Sequence, residues 1–136
     1  MALPAAYQEA TPFGTNTGGV SPALLSASPT AAYDSWLTVG IADGDAGGAL
    51  GSVGIDFGTW TDTVPITVTD GAVFWMRPDD APGGDVVVAQ LTVTAGTSGT
   101  MTGGLQGRSS TGGTDWFVDG VQWPYGPKDC VGHWSR

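Results

Sequence analysis

Aspartates, one histidine and one cysteine are the residues of this sequence best suited to catalysis. His133 and Cys130 both lie close to the C-terminal end, whereas a Ser-His-Asp or Cys-His arrangement needs these side chains inside a fold. Paired carboxylates for glycoside hydrolysis remain an option because Asp is plentiful. Nearly every Asp, however, lies in a turn rich in Gly or Pro, where Asp is favoured by turn chemistry alone. We therefore expect no enzymatic activity.

Two acidic loops are the candidate metal sites. The first contains Asp43 and Asp45, and the second contains Asp79, Asp80 and Asp85. Ca²⁺ takes carboxylate and carbonyl oxygens, although neither loop has the full ligand spacing of an EF-hand. No Cys and His spacing favours zinc. The sequence thus leaves two alternatives, a solvated acidic turn or a structural Ca²⁺, and predicts no other cofactor.

Tryptophan is unusually frequent, with six residues in the chain. Exposed Trp rings stack on sugar rings because they offer both apolar area and a π-face. Trp36, Trp60 and Trp116 are the candidate ligand-binding residues. Packing over the core or its rim, or contact with another subunit, is the alternative for each of them.

The charge balance excludes several classes of partner. The net charge is −9 over 136 residues, and the few basic residues do not cluster. A nucleic-acid partner needs a basic stripe to neutralise its phosphates, and anionic membrane surfaces are disfavoured for the same reason. No apolar run is long enough to span a membrane, so we expect neither nucleic-acid binding nor membrane insertion.

The elements that must position these residues are short strands. Gly, with 23 residues, is very frequent and charged residues make up only 12%, which suits strands joined by tight turns. Apolar residues alternate from Tyr33 onward, and residues 72–76 are apolar on both faces, which predicts a central strand. The fold class is therefore all-β, with an antiparallel β-sandwich of about seven to eight strands. No segment predicts a convincing helix.

The sequence also predicts side-chain directions in the last strand and the boundaries between regions of the chain. Phe117, Val121 and Trp123 are predicted to share the inward face of the last strand, with Trp116 opposite. Residues 23–25 predict a short strand or turn. Three regions are expected, namely an N-terminal arm packed on the domain or on a neighbour at 1–30, the β-sandwich at 31–125 and a linker into a following module at 126–136.

Residues 68–107 carry a resemblance to known domains. The segments T-D-G-A-V-F, V-V-A-Q-L-T-V and G-T-M-T, in this order, resemble the second half of a cohesin-like or carbohydrate-binding-like sandwich. The resemblance implies a jelly-roll-like or cohesin-like arrangement of strands. It also implies an extracellular binding or scaffold role, and it carries over no catalytic residue.

Residues 129–136, D-C-V-G-H-W-S-R, resemble the opening of a thrombospondin type 1-like repeat, in which a Cys precedes a Trp-Ser pair. In that family another Cys follows shortly after. The resemblance implies that this chain is part of a longer extracellular protein and that Cys130 forms a disulfide with a residue outside the chain. Trp134 and Arg136 would then correspond to the stacked Trp and the neighbouring cation of the family.

Taken together, these observations predict an extracellular structural or adhesion module of a cell-surface, matrix or fibre protein. One alternative is a carbohydrate-binding module that uses exposed Trp, and another is a filament or coat subunit with an exchanged N-terminal arm. Expected partners are other extracellular modules, copies of the same chain, or a glycan. The predicted location is secreted or cell-surface; a cytosolic protein is the alternative, because the first residues do not form a signal peptide.

Overall fold

The computed structural model describes residues 1–109 and 111–127. These residues form mainly strands in antiparallel sheets with little helix, which confirms the all-β class. The predictions for Cys130 and for the segment 129–136 lie outside the described residues. The strands are β1 Ala2–Leu3, β2 Trp36–Leu37, β3 Leu50–Val53, β4 Ile66–Thr67, β5 Ala72–Trp75, β6 Ala89–Gln90, β7 Gly99–Arg108 and β8 Asp115–Tyr125.

Three sheets contain all of these strands. The largest has the order β4-β1-β7-β8, and the other two are the pairs β2-β6 and β3-β5. None of the three sheets closes on itself within the described residues. The long hairpin of β7 and β8 supplies most of the ladder, because every other strand pairs over only a few residues.

The N-terminal segment is part of the main sheet. Strand β1 lies between β4 and β7, with Ala2 opposite both Thr67 and Thr102. The terminal amine of Met1 donates to the carbonyl of Val68 at 2.7 Å, and the Val68 N–H donates back to the Met1 carbonyl at 2.8 Å. Residues 1–3 therefore pair within their own chain.

One short helix, α1 Pro22–Ala27, occurs where the sequence predicted a strand or a turn, so that prediction is wrong. Pro22 occupies the first turn, where a missing N–H costs nothing because that position has no helical partner. The Ser21 carbonyl accepts hydrogen bonds from the N–H groups of Leu24 and Leu25. Short 3-10 turns at Pro29–Tyr33, Phe57–Thr59 and Pro78–Asp80 complete the helical content of the described residues.

The core lies between the main sheet and the segments that cross it. Trp60 is 2% exposed, and its indole N–H donates to the Pro4 carbonyl at 2.7 Å. This hydrogen bond ties the start of the chain to the loop before β4. The buried cluster consists of Leu3, Ala6, Leu37, Trp60, Ile66, Val68 and Met101.

The predicted central strand at 72–76 is wrong. Among the strands that the structure describes, β5 pairs only with β3, and Phe74 and Met76 are exposed. The ring of Phe74 lies against Gly51 on the neighbouring strand, so a residue that the sequence pattern assigns to the core instead covers a glycine.

In residues 1–109 and 111–127, no helix has the length and apolar character needed to cross a bilayer.

Candidate binding surfaces

The outer half of the β7–β8 hairpin carries the most exposed cluster of large apolar side chains. Trp116 is 48% exposed, Phe117 66% and Val118 50%. Trp116 and Val118 lie on one face of the hairpin, and we call these two residues the distal hairpin surface; Phe117 is exposed on the opposite face. The inner half of the same hairpin is different, because Met101 is buried and Trp123 packs against the core.

Glycines on β7 face aromatic residues on β8. Gly107 is paired with Trp116, and Gly99 with Tyr125. A Cβ atom added at Gly107 would meet the Trp116 indole at 2.6 Å, so the ring lies directly against the glycine. Aromatic rings that cover a cross-strand glycine in this way hold the pairing register. The outer side of the Trp116 ring is left open to solvent.

A bulge reverses the faces along β8. The register shifts between Gly103 and Leu105, and Gly120 on β8 has a φ of 66°. Trp116 consequently lies on the same face as Val121 and Trp123, while Phe117 lies on the opposite face. The predicted common face of Phe117, Val121 and Trp123 is therefore wrong, because the bulge inserts an extra residue between them.

The charges beside the distal hairpin surface are largely paired. The Arg108 Nε donates to the Asp115 carboxylate at 2.8 Å, and both side chains are exposed. The Asp119 carboxylate accepts from the Gly120 N–H at 2.8 Å, in the bulge. Arg108 and Asp115 therefore cancel at this end of the hairpin, and Asp119 leaves one negative charge there.

Two of the three predicted stacking residues are not available to a ligand. Trp36 and Trp60 are 4% and 2% exposed, so neither presents a ring face to solvent, and the prediction of exposed rings at these positions is wrong. Their burial follows from packing against segments that are distant in sequence, such as Pro4 above Trp60. Of the three predicted residues, Trp116 alone has a ring exposed to solvent. The structure therefore offers no shared surface of exposed rings at these positions.

The two acidic loops contact each other, because the Arg77 guanidinium donates to the Gly47 carbonyl. The Asp45 carboxylate accepts from the N–H groups of Ala49 and Leu50 at 2.8 and 2.9 Å and so organises its own loop. Asp43 is exposed, as are Asp79, Asp80 and Asp85 on the other loop. Within the described residues, no group of three or more acidic, His or Cys side chains forms a potential metal site.

A second surface, which the sequence analysis did not identify, is a groove of about 380 Å³. Tyr7, Tyr33 and Asp62 line it together with several threonines, and we call it the tyrosine groove. The Tyr7 hydroxyl donates to the Glu9 carboxylate at 2.8 Å. Hydrogen bonds from the hydroxyls of Thr30 and Tyr7 hold the pKa of Glu9 below its usual value, and the same bond to Glu9 raises the pKa of Tyr7.

Buried Asp34 holds the walls of the tyrosine groove together. It is fully buried, and its carboxylate accepts from the N–H groups of Glu9 at 2.9 Å and Thr15 at 2.6 Å. Burial raises the pKa of Asp34, and the two backbone hydrogen bonds oppose that rise. An Asp directly after Tyr33 carries no distinctive spacing, so no sequence pattern signals this role.

Comparisons with protein-family models, with curated proteins and with solved structures gave no match.

Proposed function

We propose that this protein is an extracellular structural or adhesion module that associates with copies of itself through the distal hairpin surface. The observation that carries the proposal is the exposure of Trp116 and Val118 side by side on one face of β8. Exposed apolar clusters of this kind mark interaction sites, because leaving large apolar side chains in water is unfavourable.

The apolar face of the hairpin is evidence that the partner is a protein. Its inner half, at Met101 and Trp123, is covered by the chain's own core. Its outer half, at Trp116 and Val118, continues the same face into solvent. A second copy supplies matching apolar side chains, and burying each large one contributes about 1.5–3 kcal/mol.

We propose that two copies meet through a face of the hairpin and not through the free edge of β8. Strand β8 is an edge strand, but Pro124 removes one N–H and the bulge at Gly120 twists the edge. Proline, bulges and charges are the devices that prevent edge-to-edge pairing. The pairing of Arg108 with Asp115 also lets two acidic chains approach each other at this end.

Composition supports the remaining parts of the proposal. A strongly acidic chain stays in solution through charge repulsion, and the resemblances at 68–107 and 129–136 imply an extracellular context. The β-sandwich arrangement is also part of the proposal. It is supported by antiparallel sheets that contribute residues to one core.

Bead aggregation tests homotypic adhesion directly. Beads coated with the wild-type chain are expected to aggregate, and beads coated with W116T/F117T/V118T are expected to stay dispersed. Threonine keeps the strand preference of β8 while removing most of the apolar area.

The matched control is V53T/F74T/M76T, which removes a comparably exposed apolar set from the β3–β5 sheet. This control is expected to aggregate like the wild type. Dispersed wild-type beads would contradict the proposal, as would an equal loss with both triple variants. The single variant V118T provides a second test with less risk to folding, because Val118 shares the face of Trp116 and the Trp116 ring that covers Gly107 stays in place.

The two alternatives have less support. A carbohydrate-binding module that uses exposed Trp retains one open ring of the three predicted, Trp116. A filament subunit with an exchanged N-terminal arm would have to remove β1 from its own sheet, where Leu3 is buried.

A further inference from the structure

We propose that the tyrosine groove binds a neutral oligosaccharide. The groove lies between the N-terminal segment, the 3-10 turn that ends at Tyr33, the loop at Asp62 and the chain after β6. Its volume of about 380 Å³ falls at the small end of the range for ligand sites, about 300–1,000 Å³. This inference does not depend on the hairpin and goes beyond the proposed function.

The walls of the groove are fixed before any ligand arrives. The Tyr7 N–H donates to the Thr92 carbonyl at 2.8 Å, and the Ser35 N–H donates to the Tyr7 carbonyl at 3.1 Å. The Gln90 amide donates to the carbonyls of Ala32 and Asp34 at 3.0 and 2.8 Å. These bonds join three walls into one unit, which lowers the entropy lost on binding.

The loop that presents Asp62 is equally ordered. The Thr61 hydroxyl accepts from the N–H groups of Thr63 and Val64 at 3.3 and 3.0 Å, and the Ala6 N–H donates to the Thr61 carbonyl at 2.9 Å. The exposed Asp62 is thereby held beside the N-terminal wall.

The lining has the chemistry that a sugar requires. Tyr33 is 62% exposed and offers a ring for the C–H side of a sugar, with Tyr7 nearby. Asp62 accepts hydrogen bonds from sugar hydroxyls, and the hydroxyls of Thr30 and Thr94 both donate and accept.

The charge of the groove selects among sugars. The described residues that line it include Asp62 and no basic side chain, and Glu9 lies behind Tyr7. Sulfated and uronic sugars are therefore repelled, and a neutral saccharide is favoured. An alkylammonium ion could also stack on tyrosines beside a carboxylate, but it would leave the threonine hydroxyls unused.

Calorimetric titration of the whole chain with cellohexaose, laminarihexaose, mannohexaose and xylohexaose tests the proposal, with tetramethylammonium chloride as a comparison. We expect one of the four sugars to bind. We expect Y33A and D62A to bind it about tenfold more weakly, because each removes a principal contact. Y33F, F74A and W116A are expected to bind as the wild type does, since they keep the Tyr33 ring or alter exposed rings elsewhere.

Failure of all four sugars to bind would overturn the inference, whether or not tetramethylammonium binds. Sugar binding lost in W116A but kept in Y33A would also overturn it and place the site on the hairpin. Failure of the sugars to bind leaves the expected bead aggregation unchanged, so the two proposals fail separately.

Discussion

Asp34 shows how a single buried carboxylate organises a surface that the sequence does not reveal. Its two oxygens hold the N–H groups of Glu9 and Thr15, while its own carbonyl accepts from Gln90. An acidic side chain that is fully buried is uncommon unless it is hydrogen-bonded, and here the partners are all within its own chain. The cost of burying its charge makes stability depend on pH.

We predict that the stabilisation due to Asp34 decreases as pH rises. Burial raises the folded-state pKa above the ordinary value of 3.8, so the contribution is fully present below 3.8 and is lost as pH rises through the folded pKa. Urea unfolding of the wild type and of D34N, at pH values from below 3.8 to above the folded-state pKa, measures this contribution to stability. The variant is expected to be less stable by about 1–3 kcal/mol, since one N–H loses its acceptor, and the difference between the two should shrink as pH rises. A difference that is constant or grows with pH contradicts the prediction.

Residue roles were only partly predictable from the sequence. The alternation of apolar residues from Tyr33 onward predicted strands, and seven of the eight strands that the structure describes lie in that part of the chain. It did not distinguish exposed Trp116 from buried Trp36 and Trp60, because burial of a Trp depends on segments distant in sequence. The alternation also missed the tyrosine groove, which is assembled from four separate segments.

Among the elements, the β7–β8 hairpin depends on glycines in two ways. Gly107 gives the Trp116 ring space against the strand, and Gly120 adopts the positive φ of the bulge. A side-chain periodicity of two predicts the faces of β8 correctly on one side of the bulge. On the other side of the bulge it assigns each side chain to the wrong face. The other alternating runs form shorter ladders than predicted. Ala89–Gln90 forms β6, and the flanking Val87, Val88 and Thr92 make single hydrogen bonds to Gly40, Thr38 and Tyr7.

We predict that G120A destabilises the hairpin by about 1–2 kcal/mol, the cost of a left-handed conformation for a residue with a Cβ. No atom of the described residues lies within 4 Å of the added Cβ, so the effect isolates the backbone cost. G83A is the matched control, because Gly83 has equally open space and its φ is not positive. Hydrogen exchange of the β7 and β8 amides measures the effect. Equal protection in G120A and G83A would show that the bulge geometry does not matter.

At the scale of the whole molecule, charge and apolar surface oppose each other. The net charge of −9 makes two copies repel, whereas the distal hairpin surface draws them together. The sequence predicted the all-β class and the acidic character correctly. Sheet order and the exposed half of the hairpin were not predictable, because they follow from which strands meet, and local alternation does not specify this.

Sedimentation velocity at increasing protein concentration, in low and high salt, tests the central claim most directly. Salt screens the repulsion between acidic copies and leaves apolar contacts intact. The account predicts that the wild-type sedimentation coefficient rises with protein concentration, and rises more steeply in high salt, while that of W116T/F117T/V118T stays constant. A wild-type coefficient that is independent of concentration in both salts, or a variant that associates as the wild type does, would contradict it.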